Sequence, residues 1–423
     1  MKAFIAIMTI LGLVAAARAQ VAPEATSPTR LAISGTLSYS ARYVQVAEFY
    51  NGGTSQLANV SGNFGYSTTS ERHPTSVSLG AGDSWSLSGT GYNGGPYESL
   101  SLSQGFAGQH ASLQLGDFVG YHKGVPFDET NPTLGTAEPI LTLDTTMVNN
   151  GVTGTYSYKL GAFSTLSAGG AYSQVYYPDG GGVNTNSLMA NAGLNRRLNA
   201  RNSIFGEYSF SQYGYSGSDV SIDANTAVAG WQRTWTHKIT TSVSAGPQWV
   251  TFNTSTPAPS TPPPSTSLPG FTGYSVNASV TDTSAVGAAN LAYSHGVNSG
   301  GGYLNGAEVD AITVSFGRSF GRQVRSQFTI ELAGGYRRTD ALSSLASVNL
   351  PGGSQGDYDA KYGTAQVSRA LGRLFSAYAG YTGTSQSSTS SASGGAPLAP
   401  LNGLFQTISF GIGFTPPQIH LRH

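Results

Sequence analysis

Residues 156–182 read YSYKLGAFSTLSAGGAYSQVYYPDGGG. Tyr156, Tyr158 and Leu160 share one parity, and Ser157 and Lys159 take the other. After LGAFST (160–165) the alternation resumes, with Leu166, Ala168, Gly170 and Tyr172 against Ser167, Gly169, Ala171 and Ser173. A period of two is that of a strand, whose successive side chains point to opposite faces. The stretch therefore predicts two strands joined by a short turn. One face is small and aromatic. The other is Ser, Gly and Lys along its whole length.

Outward from this hairpin the same pattern repeats. LAISGTLSYSARY (31–43), VTGTYSYKL (152–160), SIFGEYSFSQY (203–213), KITTSVSAGPQWV (238–250), SQFTIELAGGYRR (326–338) and LFQTISFGIGF (404–414) all alternate. In the last, Leu404, Ile408, Phe410, Ile412 and Phe414 oppose Phe405, Thr407, Ser409, Gly411 and Gly413. About 18 such stretches follow Leu31, longer than strands of ordinary soluble sheets. The count falls to about 16 if the weaker stretches 271–282 and 358–369 are loop hairpins.

The connections between stretches alternate in length. SERHP (70–74), AGQH (107–110), LGAFST (160–165), LNARN (198–202), THK (236–238), TDTS (281–284), FGRQV (320–324) and LGR (371–373) are short. VQVAEFYNGGTSQ (44–56), PDGGGVNT (178–185) and residues 121–149, 252–270, 339–357 and 386–402 are long. Segregation of loop length by end is a property of outer-membrane barrels, with short periplasmic turns and long extracellular loops. The predicted fold is an all-β, transmembrane, antiparallel up-and-down barrel. Its apolar parity faces lipid and its Ser/Thr/Gly parity faces a watery lumen. Closure pairs every backbone polar group, as hydrocarbon requires. Tyr176, Tyr177, Tyr213, Tyr215, Trp249, Phe252, Tyr336 and Tyr381 lie near strand ends and read as an interfacial girdle.

Composition agrees. The chain has 423 residues, 56 Gly, no Cys, 10% charged residues and zero formal net charge. That charge content is well below the roughly 25% of a soluble globule. Mean hydropathy is −0.13, and no segment beyond the N-terminus offers a clean apolar run of helical-span length. A zero net charge excludes binding driven by phosphate neutralisation, so no nucleic-acid partner is expected. At the N-terminus, Lys2, an apolar run from Ala3 to Ala17, and Ala17-Arg18-Ala19 form a signal peptide over 1–19. The remaining organisation is a short periplasmic segment (20–30), the barrel (31–416) and a periplasmic tail (417–423). The expected location is the outer membrane of a Gram-negative cell. Expected partners are outer-membrane lipid and lipopolysaccharide and the barrel-assembly machinery. A homo-oligomer and periplasmic export partners stay open.

The segments NAGLNRRLNARNSIFGEYSFSQYGY (191–215), GWQRTWTHKITTSVSAGPQWV (230–250), AYSHGVNSGGGYLNGAEVDAITVSFGRSFGR (292–322) and QVSRALGRLFSAYAGYT (366–382) resemble uncharacterised outer-membrane β-barrel proteins common in acidobacteria. More loosely the chain resembles the β-barrel porin families, some of which accompany exopolysaccharide systems. The resemblance covers most of the mature chain and implies location and fold, without a substrate. The chain departs from many such barrels at its end, where Phe414 is followed by TPPQIHLRH rather than closing the sequence.

No catalytic, cofactor-binding or metal-ligating set emerges, and the chain is not read as an enzyme. His73, His110 and His237 sit in short turns, His122 and His295 at the opposite rim, and His420 and His423 in the tail. By parity Arg42, Lys159, Glu207, Glu331, Arg337 and Lys361 are candidates to line the lumen, where charge sets ion preference. Wall-to-wall ion pairs are the equal alternative. The longest loop, 121–149, carries Asp128, Glu129, Glu138 and Asp144 against Lys123 and is a candidate constriction, with a surface loop as the plainer reading. The Pro/Ser/Thr-rich loop 252–270 is expected to be extended and solvated. Asp83 and Asp117 take the lipid-facing parity, and a bulge that turns them inward is expected, with a subunit contact as the alternative. The function expected is passive diffusion of ions or small polar solutes. The alternatives are an exopolysaccharide conduit and a closed structural or adhesive barrel.

Overall fold

A computed structural model gives the fold. It describes residues 29–421 apart from 47–52, 69, 71, 89–94, 124–145, 180–183, 217–219, 255–269, 285–286, 300–305, 322–326, 343–356, 389–402 and 417–418. The first strands are β1 (Thr29–Val46), β2 (Gly53–Thr68), β3 (Thr75–Ser88), β4 (Pro96–Ala107), β5 (Ala111–Lys123) and β6 (Thr146–Lys159). Then come β7 (Ser164–Tyr176), β8 (Thr185–Arg197), β9 (Asn202–Tyr215), β10 (Val220–Thr234), β11 (Ile239–Thr254) and β12 (Phe271–Ser284). The last are β13 (Gly287–Asn298), β14 (Ala307–Phe320), β15 (Phe328–Ala341), β16 (Tyr358–Ala370), β17 (Phe375–Ser388), β18 (Gly403–Phe414) and the short β19 (Ile419–Leu421). Both weak stretches of the sequence are strands, β12 and β16, so the long strands number 18 among the described residues.

Each of the 18 long strands pairs antiparallel with its neighbours in the chain, and β18 pairs back on β1 from Gly35↔Phe414 to Val46↔Gly403. Pro416 has no N–H to give a ladder, and pairing with β1 resumes only at Ile419↔Leu31. The tail segment 417–423 thus contributes three residues to the sheet. The periplasmic role given to it, and the segments 1–19 and 20–28, lie outside the described residues.

Register carries one parity around the whole ring. Leu113 pairs with Tyr156, Tyr156 with Ala168, Ala168 with Ala192, and Ala192 with Tyr208. Farther round, Leu291 pairs with Val314, Phe316 with Leu332, and Tyr381 with Ile408. These rows are exposed: Leu37, Phe410 and Ile412 are each more than half accessible. A continuous exposed apolar band of this extent does not occur on a water-soluble monomer and is what hydrocarbon solvates. The opposite rows are polar and knitted across strands. Ser173 and Ser187 hydroxyls are 2.7 Å apart, Thr281 donates to Asn290 Oδ1 at 2.9 Å, and Ser319 and Thr329 hydroxyls are 3.1 Å apart.

The eight short connections all fall at one end, and polar side chains cap two of the described ones. Asn199 Oδ1 accepts from the backbone N–H of Arg201 and Asn202, both at 2.9 Å. Thr236 Oγ1 accepts from Lys238 and Ile239 N–H at 3.2 and 3.1 Å. Such side-chain caps are the usual chemistry of tight turns.

Two expectations are corrected. The register to β2 runs unbroken through Asp83 (paired with Val60), whose pairing with Pro96 ends the β3–β4 ladder, and it runs unbroken through Asp117 (paired with Leu102 and Val152), so no bulge turns either inward. The irregularity of that wall lies between Gln56 and Leu57. Asp117 stays on the lipid-facing row at mid-strand, and its Oδ1 is buried without a hydrogen-bond partner. Asp117→Val is therefore expected to raise stability to urea by about 1–2 kcal/mol, since lipid-facing carboxylates are unfavourable at depth. An unchanged or lower urea midpoint would count against this placement.

The second correction concerns aromatics. Trp249 and Tyr381 are exposed on the outer row, as a girdle requires. Tyr213, Tyr215 and Phe252 instead take the inner parity and are buried, packed with Ile222, Ala224, Val250 and Leu342. The barrel thus holds an apolar cluster on its lumen side, against β9–β11.

Candidate functional site

The candidate site is the lumen, and the inner row builds it. Glu207 lies on this row in β9 and accepts from Asn191 Nδ2 of β8 at 3.1 Å. Glu331 takes the inner parity in β15, paired with Gly317 and Gln366. Arg337 does likewise, and its Nε donates to Thr339 Oγ1 at 3.2 Å. Lys159 takes the inner parity at the short-turn end of β6, paired with Thr165. Arg42 occupies the register position between Thr407 and Ser55, on the same row. Lys361 falls on the other face. It pairs with outward Tyr336, and its Nζ lies 5.9 Å from that ring's centre. The proposed constriction residues Asp128, Glu129, Glu138 and Asp144 lie outside the described residues, as does most of the 252–270 loop.

Contacts between non-adjacent strands appear in a different place, at the tops of β13–β15. The β12–β13 ladder ends at Val276↔His295. Above it β13 leaves β12, and Val297 N–H donates at 3.2 Å to Gln248 Oε1, an inner-row side chain of β11. Gln248 is held from the side by its partner on β10, its Nε2 donating to Thr226 Oγ1 at 3.0 Å. Tyr215 Oη then donates to the Ser299 carbonyl at 3.1 Å. Gly306 N–H reaches the Ser299 carbonyl at 3.3 Å, and Leu342 N–H the Gly306 carbonyl at 3.2 Å. Ile222 and Leu342 are fully buried here. Gly306 has φ +81°, and a Cβ on it would lie 2.5 Å from Ile222 Cδ1 and 2.8 Å from Leu342 Cδ1. The tops of β13–β15 therefore lean over the bore and seat on β9–β11. Farther round, inner-row Thr384, Gln386, Thr407 and Ser409 are also buried.

On the outer face, the same height carries a polar belt. His295 is 6% exposed and lies under Tyr274, ring centres 4.1 Å apart. Its Nδ1 is 2.9 Å from Asp310 Oδ1 and its Nε2 2.9 Å from Glu308 Oε1. The Nε2 contact is at ion-pair distance without hydrogen-bond alignment. Tyr293 Oη donates to Asp310 at 2.8 Å, Tyr336 Oη to Asp359 at 2.8 Å, and Asn253 Nδ2 to Asp223 at 2.7 Å. Aromatic rings and paired charges above an apolar band are how a barrel meets the outer leaflet. This is the surface of a protein of the bacterial outer membrane. Among the described residues no group of three or more His, Cys, Asp or Glu is placed to hold a metal ion.

Inner and outer charges make a paired prediction. Arg337→Gln is expected to shift the reversal potential of a salt-gradient recording toward cation preference, while Lys361→Gln leaves it within a few millivolts, since Lys361 is off the lumen row. Equal shifts from both would contradict the face assignment.

No protein-family model matches the sequence, and no curated protein is similar to it. Solved structures do resemble it in shape. OccK2 (OpdF) of Pseudomonas aeruginosa is 11% identical, with 91% of this chain and 98% of that one covered and a TM-score of 0.43. OccAB4 of Acinetobacter baumannii is 9% identical, with 93% and 99% covered and a TM-score of 0.42. OpdL of Pseudomonas aeruginosa is 9% identical, with 92% and 99% covered and a TM-score of 0.43.

Proposed function

We propose that the protein is a passive outer-membrane channel that lets ions or small polar solutes diffuse through its lumen. One observation carries this reading. A polar inner row continues around 18 strands, a number that ordinarily encloses more than side chains can fill. Glu207, Glu331 and Arg337 on that row supply a sparse field, enough to bias ion passage without binding tightly. Lipid and lipopolysaccharide are the natural outer partners of the apolar band and the belt above it.

A second reading, a closed structural barrel, is favoured by one feature: the apolar cluster of Ile222, Val250, Phe252 and Leu342 inside the wall. Liposome swelling with neutral sugars of increasing size separates the two. Swelling that falls off smoothly with solute size supports the channel. Vesicles containing folded protein that do not swell with the smallest sugar would favour the closed barrel.

A further inference from the structure

Outward charge divides between the two ends of the barrel. At the long-loop end it is mainly carboxylate, with Glu308 and Asp340 opposite one another in register. At the short-turn end it is mainly arginine. Arg196 (β8), Arg233 (β10), Arg318 (β14) and Arg369 (β16) each lie within the last three residues of a strand that runs into a short turn. Leu194, Trp231, Phe316 and Val367 face outward, and each arginine follows one of them by two residues, so all four take the lipid-facing row. We propose that these arginines form two sites for anionic phospholipid headgroups of the periplasmic leaflet, one over β9 and one over β15.

The two sites share one geometry. Arg196 pairs with Ile204 and Arg233 with Asn202, so these two flank β9. Arg318 pairs with Ile330 and Arg369 with Phe328, so the other two flank β15. In each, two strand spacings and one two-residue step put the Cα atoms about 12 Å apart. A phosphate between them is within reach of both long side chains, and the isoleucine starts an apolar row for the acyl chain. One arginine of each pair is braced by an aromatic ring two residues on. The Arg233 guanidinium lies 3.8 Å from the centre of the Trp235 ring, and that of Arg318 lies 5.1 Å from the centre of Phe320. Stacking holds the guanidinium plane and leaves its edge donors free, and this is the group that meets phosphate with two parallel donors. Those donors are not used inside the protein. The described ion pairs all lie at the long-loop end, and none includes these four arginines. Arg233 Nε is buried with no hydrogen-bond partner. The one outward carboxylate at the short-turn end among the described residues, Asp282, pairs with Ile239 and Ala289, two strands away from both Arg233 and Arg318. Short turns of such barrels face the periplasm, where the leaflet is phospholipid. Net charge then selects the headgroup. Phosphatidylethanolamine carries an ammonium that the arginines repel, whereas phosphatidylglycerol carries the phosphate alone. Each basic side chain beside an anionic headgroup is worth about fivefold in retention.

The test offers the full-length barrel, refolded and delipidated in detergent, equal amounts of phosphatidylglycerol and phosphatidylethanolamine with the same acyl chains. Native mass spectrometry counts the lipid retained. The expected result is two retained phosphatidylglycerol molecules per barrel, in excess of phosphatidylethanolamine. Arg233→Gln and Arg318→Gln should each weaken retention about fivefold at one site and leave the other, and the double substitution should bring phosphatidylglycerol close to the level of phosphatidylethanolamine. Lys361→Gln removes an outward cation near the long-loop end and should leave both sites. Heat-modifiable migration confirms that each variant is folded. Equal retention of the two lipids would overturn the proposal, as would a phosphatidylglycerol excess that survives the double substitution or falls equally in Lys361→Gln. Displacement of the lipid by inorganic phosphate would reassign the pairs to the free ion and overturn the lipid assignment. The inference uses only the outer face, so a barrel that never conducts still carries both sites.

Discussion

Leu115→Arg is expected to destabilise the folded barrel by about 2–4 kcal/mol, while Gln114→Arg, one residue earlier, changes stability by less than about 0.5 kcal/mol. Leu115 lies at mid-strand in β5, exposed on the outer row between Gln104 and Gly154. Gln114 lies on the inner row between Gly105 and Thr155. An arginine on the first meets hydrocarbon. On the second it meets water and polar neighbours. Reversible urea unfolding in phospholipid vesicles gives both numbers. Equal costs would mean that the two faces are not lipid and lumen, and every inner-row assignment would fall with them.

Gly306→Val is expected to unseat the tops of β13–β15. Its φ of +81° is a conformation that a β-branched residue adopts only under strain. Its Cβ would also enter the space of Ile222 Cδ1, 2.5 Å away. Together these cost about 2–4 kcal/mol. The penalty falls on the seat, because Gly306 takes no part in the ladders that join β9, β10 and β11. The mean single-channel conductance should rise, and Ser299→Cys in the same background, the single thiol of a chain without native cysteine, should react faster with maleimide. Gly161→Val, in open space, is the control and should change neither. A Gly306→Val channel with the parent conductance and labelling would show that the seat does not narrow the lumen.

The architecture was legible because a barrel writes itself in a two-residue period and in loop lengths. Both survive without any knowledge of contacts. The errors came from places where parity and chemistry disagree. Tyr213 and Tyr215 have the parity of inward Glu207, but aromatics near a strand end look like a girdle whichever way they point. Lys361 shares its row with Gly363 and Ala365, too small to look lipid-facing, while Tyr358 and Tyr362 make the inner row of β16 look apolar. Asp117 followed its parity after all; a mid-band carboxylate argued for a bulge that the register does not contain. The seat itself could not be read. Tyr215 and Ser299 are 84 residues apart, and only folding brings that hydroxyl to that carbonyl. The His295 cluster depends on cross-strand register, which pairs His295 with Asp310 and Val297 with Glu308. Alternation fixes which face a residue takes, but leaves its partner on the next strand undetermined.

The central claim is that polar solutes cross this lumen. The most direct measurement is single-channel current of the refolded protein in a planar bilayer under a salt gradient. The account predicts steady open steps, with a reversal potential that Arg337→Gln moves and Lys361→Gln does not. A barrel shown to be folded by heat-modifiable migration, yet giving no steps, would contradict it.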